Sequence, residues 1–261
     1  MLRALTTAAA GMEAQQTQLD VTANNIANAS TTGFKKSRAE FADLMYQTIH
    51  PAGAATGNGT AAPDGINIGL GVRVASTQRL QDQGSLRQTG QPTDVAIEGN
   101  GFFAVTLPSG DTAYTRNGSF HVSATGQLVN AEGYALAGDI TIPAEATGVS
   151  IASDGTVSAT VAGETAPVEL GQIQLTTFVY PAGLEPLGKT LFRESAASGE
   201  AVTGNPGENG AGNLQSGQLE GSNVSVVEEM IDLITGQRAY EVNTRVIKAA
   251  DEMLGQTAQL R

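Results

Sequence analysis

The sequence has no cysteine, so neither a disulfide framework nor a thiolate site is expected. Histidine is scarce as well, and the only two, His50 and His121, lack the spacing of metal ligands. A Gly-x-Ser-x-Gly nucleophile elbow is absent, and Gly69-Leu70-Gly71 has neither the third glycine nor the following helix of a dinucleotide site. These absences predict a protein that is not an enzyme and that uses no cofactor or metal.

Positive charge is also in short supply. The chain has 14 Lys and Arg against 26 Asp and Glu, a formal net charge of -12. A nucleic-acid binder needs a basic stripe that displaces counterions from phosphates, so that class is disfavoured. The single basic cluster, Lys35, Lys36 and Arg38, is predicted to lie in a solvated loop. No hydrophobic run reaches the length of a transmembrane helix.

Both ends of the chain carry apolar residues at heptad spacing. The first heptad stripe is Leu5, Met12, Leu19 and Ile26, with Leu2, Ala9 and Ala23 at intervening positions; the second stripe is Val226, Leu233, Tyr240, Ile247 and Leu254. Such spacing keeps a narrow apolar stripe on one side of a helix, which then needs a partner helix. We therefore predict helices over residues 2–28 and 226–257 that pair as a coiled-coil stalk, the second opened by a Ser225/Glu228 capping box.

The predicted stalk lacks stabilisation as an isolated hairpin, because polar residues such as Gln16, Gln237 and Asp251 interrupt its stripes. We expect neighbouring copies of the chain to supply the missing contacts. A head-to-tail contact that does not close into a ring builds an open helical filament. The first heptad stripe also continues through the small residues that resemble a signal-peptide cleavage site, so cleavage is not expected.

The centre of the chain is predicted to be β structure. Short runs rich in aromatic and β-branched residues alternate with turn signals such as Pro108-Ser109-Gly110-Asp111, Asn117-Gly118 and Asp154-Gly155. Asn117-Gly118 is predicted to form a two-residue hairpin turn, because both residues tolerate positive φ angles. Short antiparallel strands favour a sandwich or barrel over a parallel sheet.

The predicted fold class is α+β, with terminal helices paired as a coiled-coil stalk and an inserted, mainly antiparallel β domain. Residues 1–45 hold the first helix and the start of the connecting region, and 46–71 form a Gly/Ala/Pro-rich extended loop or irregular hairpin. The β domain spans 72–197, a Gly/Asn-rich loop returns over 198–224, and the second helix spans 225–261.

Several blocks closely resemble the signatures of the rod and hook axial proteins of the bacterial flagellum, in the same order along the chain. They are Ala23-Asn24-Asn25-Ile26-Ala27-Asn28, Thr32-Gly33-Phe34-Lys35, Gly99-Asn100-Gly101-Phe102-Phe103, Tyr114-Thr115-Arg116-Asn117-Gly118-Ser119-Phe120 and Gln237-Arg238-Ala239-Tyr240-Glu241. The glycine-rich stretch after Tyr46 and the block Leu219-Glu220-Gly221-Ser222-Asn223-Val224 resemble the distal-rod member of that family.

The resemblance implies a nonenzymatic structural protein of the flagellar distal rod, exported through the flagellar type III apparatus without a cleaved signal peptide. Its expected partners are other copies of itself, proximal rod proteins, the hook protein, the rod cap, and the P-ring and L-ring proteins, in a rod that crosses the periplasm to the outer membrane. The expected assembly residues are the stripe residues Leu5, Met12, Leu19, Ile26, Leu233, Tyr240, Ile247 and Leu254, together with Gly33 and Phe34; the candidates for inter-helix hydrogen bonds are Asn24, Asn25, Asn28, Arg238 and Glu241.

Three alternatives stay open at this point. A proximal-rod or hook protein shares the terminal signatures. A β-rich adhesin or binding module on a helical stalk also fits the pattern, but it is expected to form closed trimers and to carry a cleavable export signal. The third alternative is an enzyme, which hydrolytic turnover that depends on an Asp or Glu side chain would support.

Overall fold

The structure of the chain is a computed structural model that describes residues 2–53, 63–138, 140–161 and 166–259. These residues divide into two compact units. The helical unit consists of Met1–Ala27, Ser37–Gln78 and Ser225–Arg261, and the β unit consists of Asn28–Lys36 and Arg79–Val224. The predicted loop at 46–71 lies partly outside the described residues, because they do not include 54–62.

Two long helices form the core of the helical unit, as the heptad pattern predicts. Helix α1 spans Leu2–Ala27 and α2 spans Val226–Gln259, and the two helices pack against each other. The predicted capping box is wrong: among the described residues, the Ser225 and Glu228 side chains make no reciprocal hydrogen bonds, and the first turn is closed by Glu229 N–H donating to the Ser225 carbonyl at 3.0 Å.

Four strands complete the helical unit. They are β1 (Ser37–Asp43), β2 (Tyr46–His50), β3 (Ile66–Gly69) and β4 (Val72–Arg79), of which β4 has its last residue in the β unit. β1 pairs with β4, and β2 pairs with β3 in antiparallel register, with Tyr46 opposite Gly69. The two ends of the 46–71 stretch therefore form an irregular hairpin, one of the two forms that its composition predicts.

The β unit is built from short antiparallel strands, which confirms the predicted α+β class with mainly antiparallel sheets. Its strands are β5 (Leu86–Gln88), β6 (Val95–Glu98), β7 (Phe102–Thr106), β8 (Thr112–Thr115), β9 (His121–Val122), β10 (Leu128–Val129), β11 (Ala135–Leu136), β12 (Ala146–Ile151), β13 (Thr156–Val161), β14 (Val168–Gln172), β15 (Leu175–Thr177), β16 (Glu185–Gly188), β17 (Leu191–Arg193), β18 (Val202–Gly204), β19 (Asn213–Ser216) and β20 (Gln218–Glu220). A nine-stranded sheet runs in the order β16-β17-β8-β7-β11-β10-β9, with β15 and β18 joined to it through β7. β12, β13 and β14 form a second sheet, while β6 pairs with β19 and β5 with β20.

The alternation of side chains along β7 creates two hydrophobic cores. Successive residues of a strand point to opposite faces, so the adjacent Phe102 and Phe103 enter different clusters. Phe103 packs edge-to-face on Phe120 at 5.2 Å between ring centroids, within the larger cluster. Phe102 belongs to a smaller aromatic cluster, where it packs against Phe178 at 5.8 Å.

The prediction of a hairpin turn at Asn117-Gly118 is wrong. β8 pairs with β7 and β17 instead of β9, and both residues of the dipeptide have negative φ. Asn117 Oδ1 accepts a hydrogen bond from Ser119 N–H at 3.1 Å. Gly118 lies so close to β6 that a Cβ atom would stand 1.6 Å from the Val95 carbonyl oxygen. The glycine is therefore required by a close backbone approach rather than by a left-handed turn.

The stretch 198–224, predicted as a returning loop, contains the three strands β18, β19 and β20. Leu214 on β19 lies opposite Ile97 on β6 and is buried in the larger core. The Gly/Asn-rich composition does not indicate these strands, because they contain only single apolar residues separated by polar ones. Such segments still form strands when partner strands supply the backbone hydrogen bonds.

Candidate functional site: the helix pair and a buried ionic cluster

The first heptad stripe lies at the partly buried side of α1. Leu5, Met12, Leu19 and Ile26 are all half-buried, while the most deeply buried positions of this helix are Ala8, Ala14, Thr22 and Asn25. Ala9 and Ala23, at the intervening positions of the stripe, are exposed. The most buried positions of this helix are therefore occupied by small or polar residues rather than by the large apolar residues of the stripe.

The second heptad stripe shows the same pattern on α2. Leu233, Ile247 and Leu254 are half-buried, whereas Tyr240 and Val226 are 40% and 42% exposed. The most buried positions, again at heptad spacing, are Glu229, Gly236 and Ala250. Sequence reasoning missed this second line because its residues are small or polar, although their spacing of seven was a signal in the sequence.

Glycines allow the two helices to approach closely. A Cβ atom on Gly236 would stand 3.0 Å from Leu19 Cδ2, and one on Gly11 would stand 3.1 Å from Asn243 Nδ2. Between these points, the Thr244 hydroxyl donates to Met12 Sδ at 3.6 Å. In two of these three contacts a stripe residue of α1 meets a small or polar residue of α2: Leu19 meets Gly236, and Met12 meets Thr244.

Asn25 joins three elements of the helical unit. Its Nδ2 donates to Glu229 Oε2 on α2 at 3.0 Å and to the Ser37 carbonyl on β1 at 2.9 Å, while its Oδ1 accepts from Ser37 N–H at 3.0 Å. Asn25 is 2% exposed, so these bonds satisfy an amide that burial would otherwise penalise. Of the predicted candidates for inter-helix hydrogen bonds, Asn25 is placed for that role.

The other candidates are more exposed than Asn25. Asn24 is exposed on α1, and Asn28 is half-buried and accepts a hydrogen bond from the Thr31 hydroxyl at 3.1 Å. Arg238 and Glu241 are exposed on α2, where Glu241 faces Arg245 one turn further along the same helix at 3.7 Å.

A second apolar face of α2 is exposed. Ile231 and Val227 are 58% and 69% exposed. The other members of this exposed face are Met230, Ile234, Val242, Val246 and Met253. A helix that is apolar on two sides is typical of one covered on both sides, and large exposed apolar patches mark interaction surfaces.

The hairpin of β2 and β3 also presents apolar side chains to solvent. Met45 is 83% exposed, immediately before β2. Tyr46, Ile49, Ile66 and Ile68 are exposed on the two strands. This surface and the exposed face of α2 are the two largest groups of exposed apolar residues in the described part of the helical unit.

The prediction that Lys35 lies in a solvated loop is wrong. Lys35 is 2% exposed, and its ammonium group contacts Glu220 Oε1 at 2.6 Å in the β unit. The same group donates to the Asp82 carbonyl at 2.7 Å. Burial lowers the pKa of Lys35, and the neighbouring Glu220 carboxylate opposes that shift. Hydropathy cannot anticipate such a position, because a buried lysine needs a partner that is remote in sequence.

Arg116 completes the buried ionic cluster of Lys35, Glu220 and Arg116. Its Nε donates to Glu220 Oε2 at 2.9 Å, and its Nη1 donates to the Gly99 and Gly101 carbonyls at 2.9 and 2.6 Å. The Gly84 N–H donates to Glu220 Oε1 at 2.9 Å. The single carboxylate thus accepts from two cations and a backbone amide, as a buried charge requires.

The ionic cluster brings together blocks that are far apart in the sequence. Gly33 N–H donates to the Glu220 carbonyl at 2.8 Å, and Gly33 has a φ of 70°, the left-handed conformation expected after the first helix. A Cβ atom there would stand 2.6 Å from Asn117 N. Phe34 follows half-buried. Four of the blocks quoted for the family resemblance therefore meet at one buried carboxylate, which sequence analysis did not identify as a site.

The uncharged side chain of Asn223 forms further hydrogen bonds close in sequence to Glu220 of the ionic cluster. Its Oδ1 accepts from Lys36 N–H at 2.7 Å, and its Nδ2 donates to the Leu80 carbonyl at 3.0 Å. Leu80 N–H in turn donates to the Lys36 carbonyl at 2.9 Å. The side chain of Asn223 thus connects Lys36 to Leu80 within the β unit.

The described residues contain no group of His, Cys, Asp and Glu side chains arranged to hold a metal ion. Within the same described ranges, no helix is long and apolar enough to span a membrane.

Three family models match the chain. A model for flagella basal body rod proteins matches residues 5–35, one for the D1 domain of the flagellar hook proteins FlgE/F/G matches 96–159, and one for the C-terminal part of the flagellar basal body rod proteins FlgEFG matches 215–260. The matched ranges cover most of both terminal helices and all three members of the ionic cluster, Lys35, Arg116 and Glu220.

Full-length relatives carry consistent names. The chain is 47% identical over 260 residues to the flagellar basal-body rod protein FlgG of Buchnera aphidicola subsp. Acyrthosiphon pisum, with 100% of each chain covered. It is 48% identical to FlgG of Caulobacter vibrioides, again with 100% of each chain covered. It is 30% identical to the flagellar hook-basal body complex protein FlhP of Bacillus subtilis, with 98% of each chain covered.

Proposed function

Because the chain belongs to the FlgG family of flagellar basal-body rod proteins, we propose that it is a distal-rod subunit that polymerises into a helical tubular drive shaft. The protein is a structural subunit of the flagellar basal body, and the shaft carries motor torque to the hook. The observation that carries this proposal is the second apolar face of α2, on which Ile231 is 58% exposed although the opposite side of the helix packs on α1.

The proposed assembly uses both terminal helices. Within one subunit α1 and α2 pair as a coiled-coil stalk, and the first and second heptad stripes hold that pair. The exposed face of α2 then packs against the helices of neighbouring copies. Densely packed helices resist compression, which gives a shaft the stiffness that torque transmission needs.

The domain division follows from the same role. The terminal segments 1–45 and 225–261 form the inner tube, while 72–197 forms the β domain that covers it and 198–224 returns the chain to the tube. The loop from Gln47 to Gly71 wedges between subunits and limits bending; the exposed apolar side chains of the β2–β3 hairpin support this role.

The proposed partners are those of an axial rod. They are the proximal rod proteins, the hook protein, the rod cap, the P-ring and L-ring proteins, and the flagellar type III export apparatus. The rod crosses the periplasm to the outer membrane, and the subunit is exported without a cleaved signal peptide. Support for these partners comes from family membership, and no catalytic role is proposed.

The test replaces a single residue on the exposed face of α2. Ile231→Glu places a charge where a neighbouring subunit is proposed to pack, so concentrated protein should fail to form filaments in electron micrographs while far-UV circular dichroism stays unchanged. Asp232→Asn, at an exposed position on the same helix, is the matched control and should still form filaments. Normal filaments from Ile231→Glu would refute the proposed packing.

A further inference from the structure

A cavity of about 320 Å³ lies in the β unit. It is bounded by Thr32, by the connection between β8 and β9, and by the turn between β10 and β11. The tip of the β16–β17 hairpin forms its rim, where Lys189 contacts Glu132. The lining is rich in amide and hydroxyl groups, which suit a ligand that forms hydrogen bonds.

Asn130 supplies an unused hydrogen-bond donor to this cavity. The residue is 9% exposed, and its Oδ1 accepts from Glu132 N–H at 3.0 Å and Tyr134 N–H at 2.9 Å. Two backbone donors on one atom identify it as the oxygen, so the other atom is the NH2 group. Nδ2 has no partner among the described residues, yet no fully buried side-chain nitrogen there is unsatisfied, so Nδ2 remains accessible through the cavity that Asn130 lines.

Asn117, which also lines the cavity, has a similar arrangement of hydrogen bonds. Its Oδ1 is occupied by Ser119 N–H at 3.1 Å, which leaves its Nδ2 without a partner in the described part of the chain. The hydroxyl groups of Ser119 and Thr32 line the same cavity and likewise have no hydrogen bond to another described residue. The cavity therefore offers two amide NH2 donors and two hydroxyl groups while the acceptor oxygens of both amides are already used.

A ligand for such a cavity must supply acceptor oxygens. The ammonium group of Lys189 at the rim adds a positive charge that now faces a single exposed carboxylate, Glu132. An incoming carboxylate would gain this cation together with the amide donors, and charge-assisted hydrogen bonds are stronger than neutral ones. With 26 acidic residues against 14 basic ones, the chain itself presents many carboxylates.

We propose that this cavity binds a carboxylate side chain of a second copy of the chain, an inference that rests on the self-assembly described under Proposed function. Subunits then contact one another through the β unit as well as through the terminal helices. This contact fixes the orientation of the neighbouring copy. A carboxylate can receive hydrogen bonds from two amide groups and an ammonium group at the same time only in a narrow range of directions.

The test follows the side-chain NH2 signals of Asn130 and Asn117 by NMR on the isotope-labelled full chain. Both signals should shift as the protein concentration rises. Asn130→Asp keeps an oxygen for the two backbone donors but replaces the NH2 group with a second oxygen, so self-association measured by sedimentation should weaken about tenfold or more. Asn209→Asp, which adds the same charge on an exposed loop, is the matched control and should leave association unchanged. Asn117→Asp serves as a second variant if the thermal midpoint shows that Asn130→Asp is poorly folded.

The outcomes separate this inference from the proposed function. If signals from the exposed face of α2 shift with concentration while those of Asn130 and Asn117 do not, the helical assembly stands and the cavity contact is refuted. If the two amide signals shift when acetate is added to dilute protein but not with protein concentration, the cavity is a small-oxyanion site and the contact between copies is refuted. If no signal depends on concentration and no filaments form, the proposed function fails and this inference with it.

Discussion

The buried ionic cluster makes a strong prediction about stability, which Lys35→Met tests. Methionine has a similar length and no charge, so the change removes the ammonium group 2.6 Å from Glu220 Oε1 and leaves the space filled. Glu220 then keeps Arg116 and the Gly84 amide, but it loses one of its two cations. Removing one partner of a buried ion pair costs about 3–5 kcal/mol, because the remaining charge is left incompletely compensated.

For a domain of 150–250 residues each kcal/mol lowers the melting temperature by about 2–4 °C, so Lys35→Met should lower it by about 6–20 °C. Glu220→Gln should lower the free energy of unfolding by at least as much, since it leaves two buried cations without their carboxylate. The double variant should be less destabilised than the sum of the two, because residues in contact couple by about 0.5–3 kcal/mol. The assay is differential scanning calorimetry of the three variants and the parent chain.

The control is Arg193→Met, which breaks the exposed pair between Arg193 and Glu185. Exposed pairs contribute about 0.2–1 kcal/mol, so this variant should melt close to the parent. If Lys35→Met also melts within a degree or two of the parent, or above it, the charge of Lys35 is solvated and the reasoning about the ionic cluster is refuted.

Two further predictions concern single substitutions. Gly118→Ala forces a Cβ atom against the backbone of β6 and should destabilise the chain by about 1–3 kcal/mol or more, whereas Gly148→Ala, which meets no atom within 4 Å, should change chemical-denaturation midpoints little. Asn25→Ala leaves buried partners in α2 and β1 unsatisfied and should cost about 1–3 kcal/mol, against little change for Asn67→Ala at an exposed position of β3; equal thermal shifts in the two variants would contradict the role assigned to Asn25.

The sequence predicts the helices and strands whose residues follow a regular pattern over a short stretch of the chain. Heptad spacing identifies both helices, and runs rich in β-branched residues identify most central strands. Their turns follow local rules too: Asp154-Gly155 forms the tight turn between β12 and β13, with Gly155 at a φ of 88°. These features can be predicted because they depend on neighbours within a few residues.

The features that the sequence does not predict depend on distant partners. Lys35 and Glu220 are separated by 185 positions, and nothing local distinguishes this buried lysine from the adjacent Lys36. Gly118 is explained only by the strand that passes beside it, which the local Asn-Gly rule cannot reveal. The line of Glu229, Gly236 and Ala250 on α2 has the right spacing but lacks apolar character, so a search for hydrophobic periodicity passes over it.

The chain has no cysteine, so one introduced thiol can report on the surface of α2 without interference. Ile231→Cys places it on the exposed face of that helix, and Val202→Cys places a control on an exposed position of the β unit. The decisive measurement is the rate of maleimide labelling in dilute protein and in assembled rods. The account predicts rapid labelling at position 231 in dilute protein and strong protection in rods, relative to the control. Equal rates in the two states would contradict the claim that neighbouring subunits cover this face of α2.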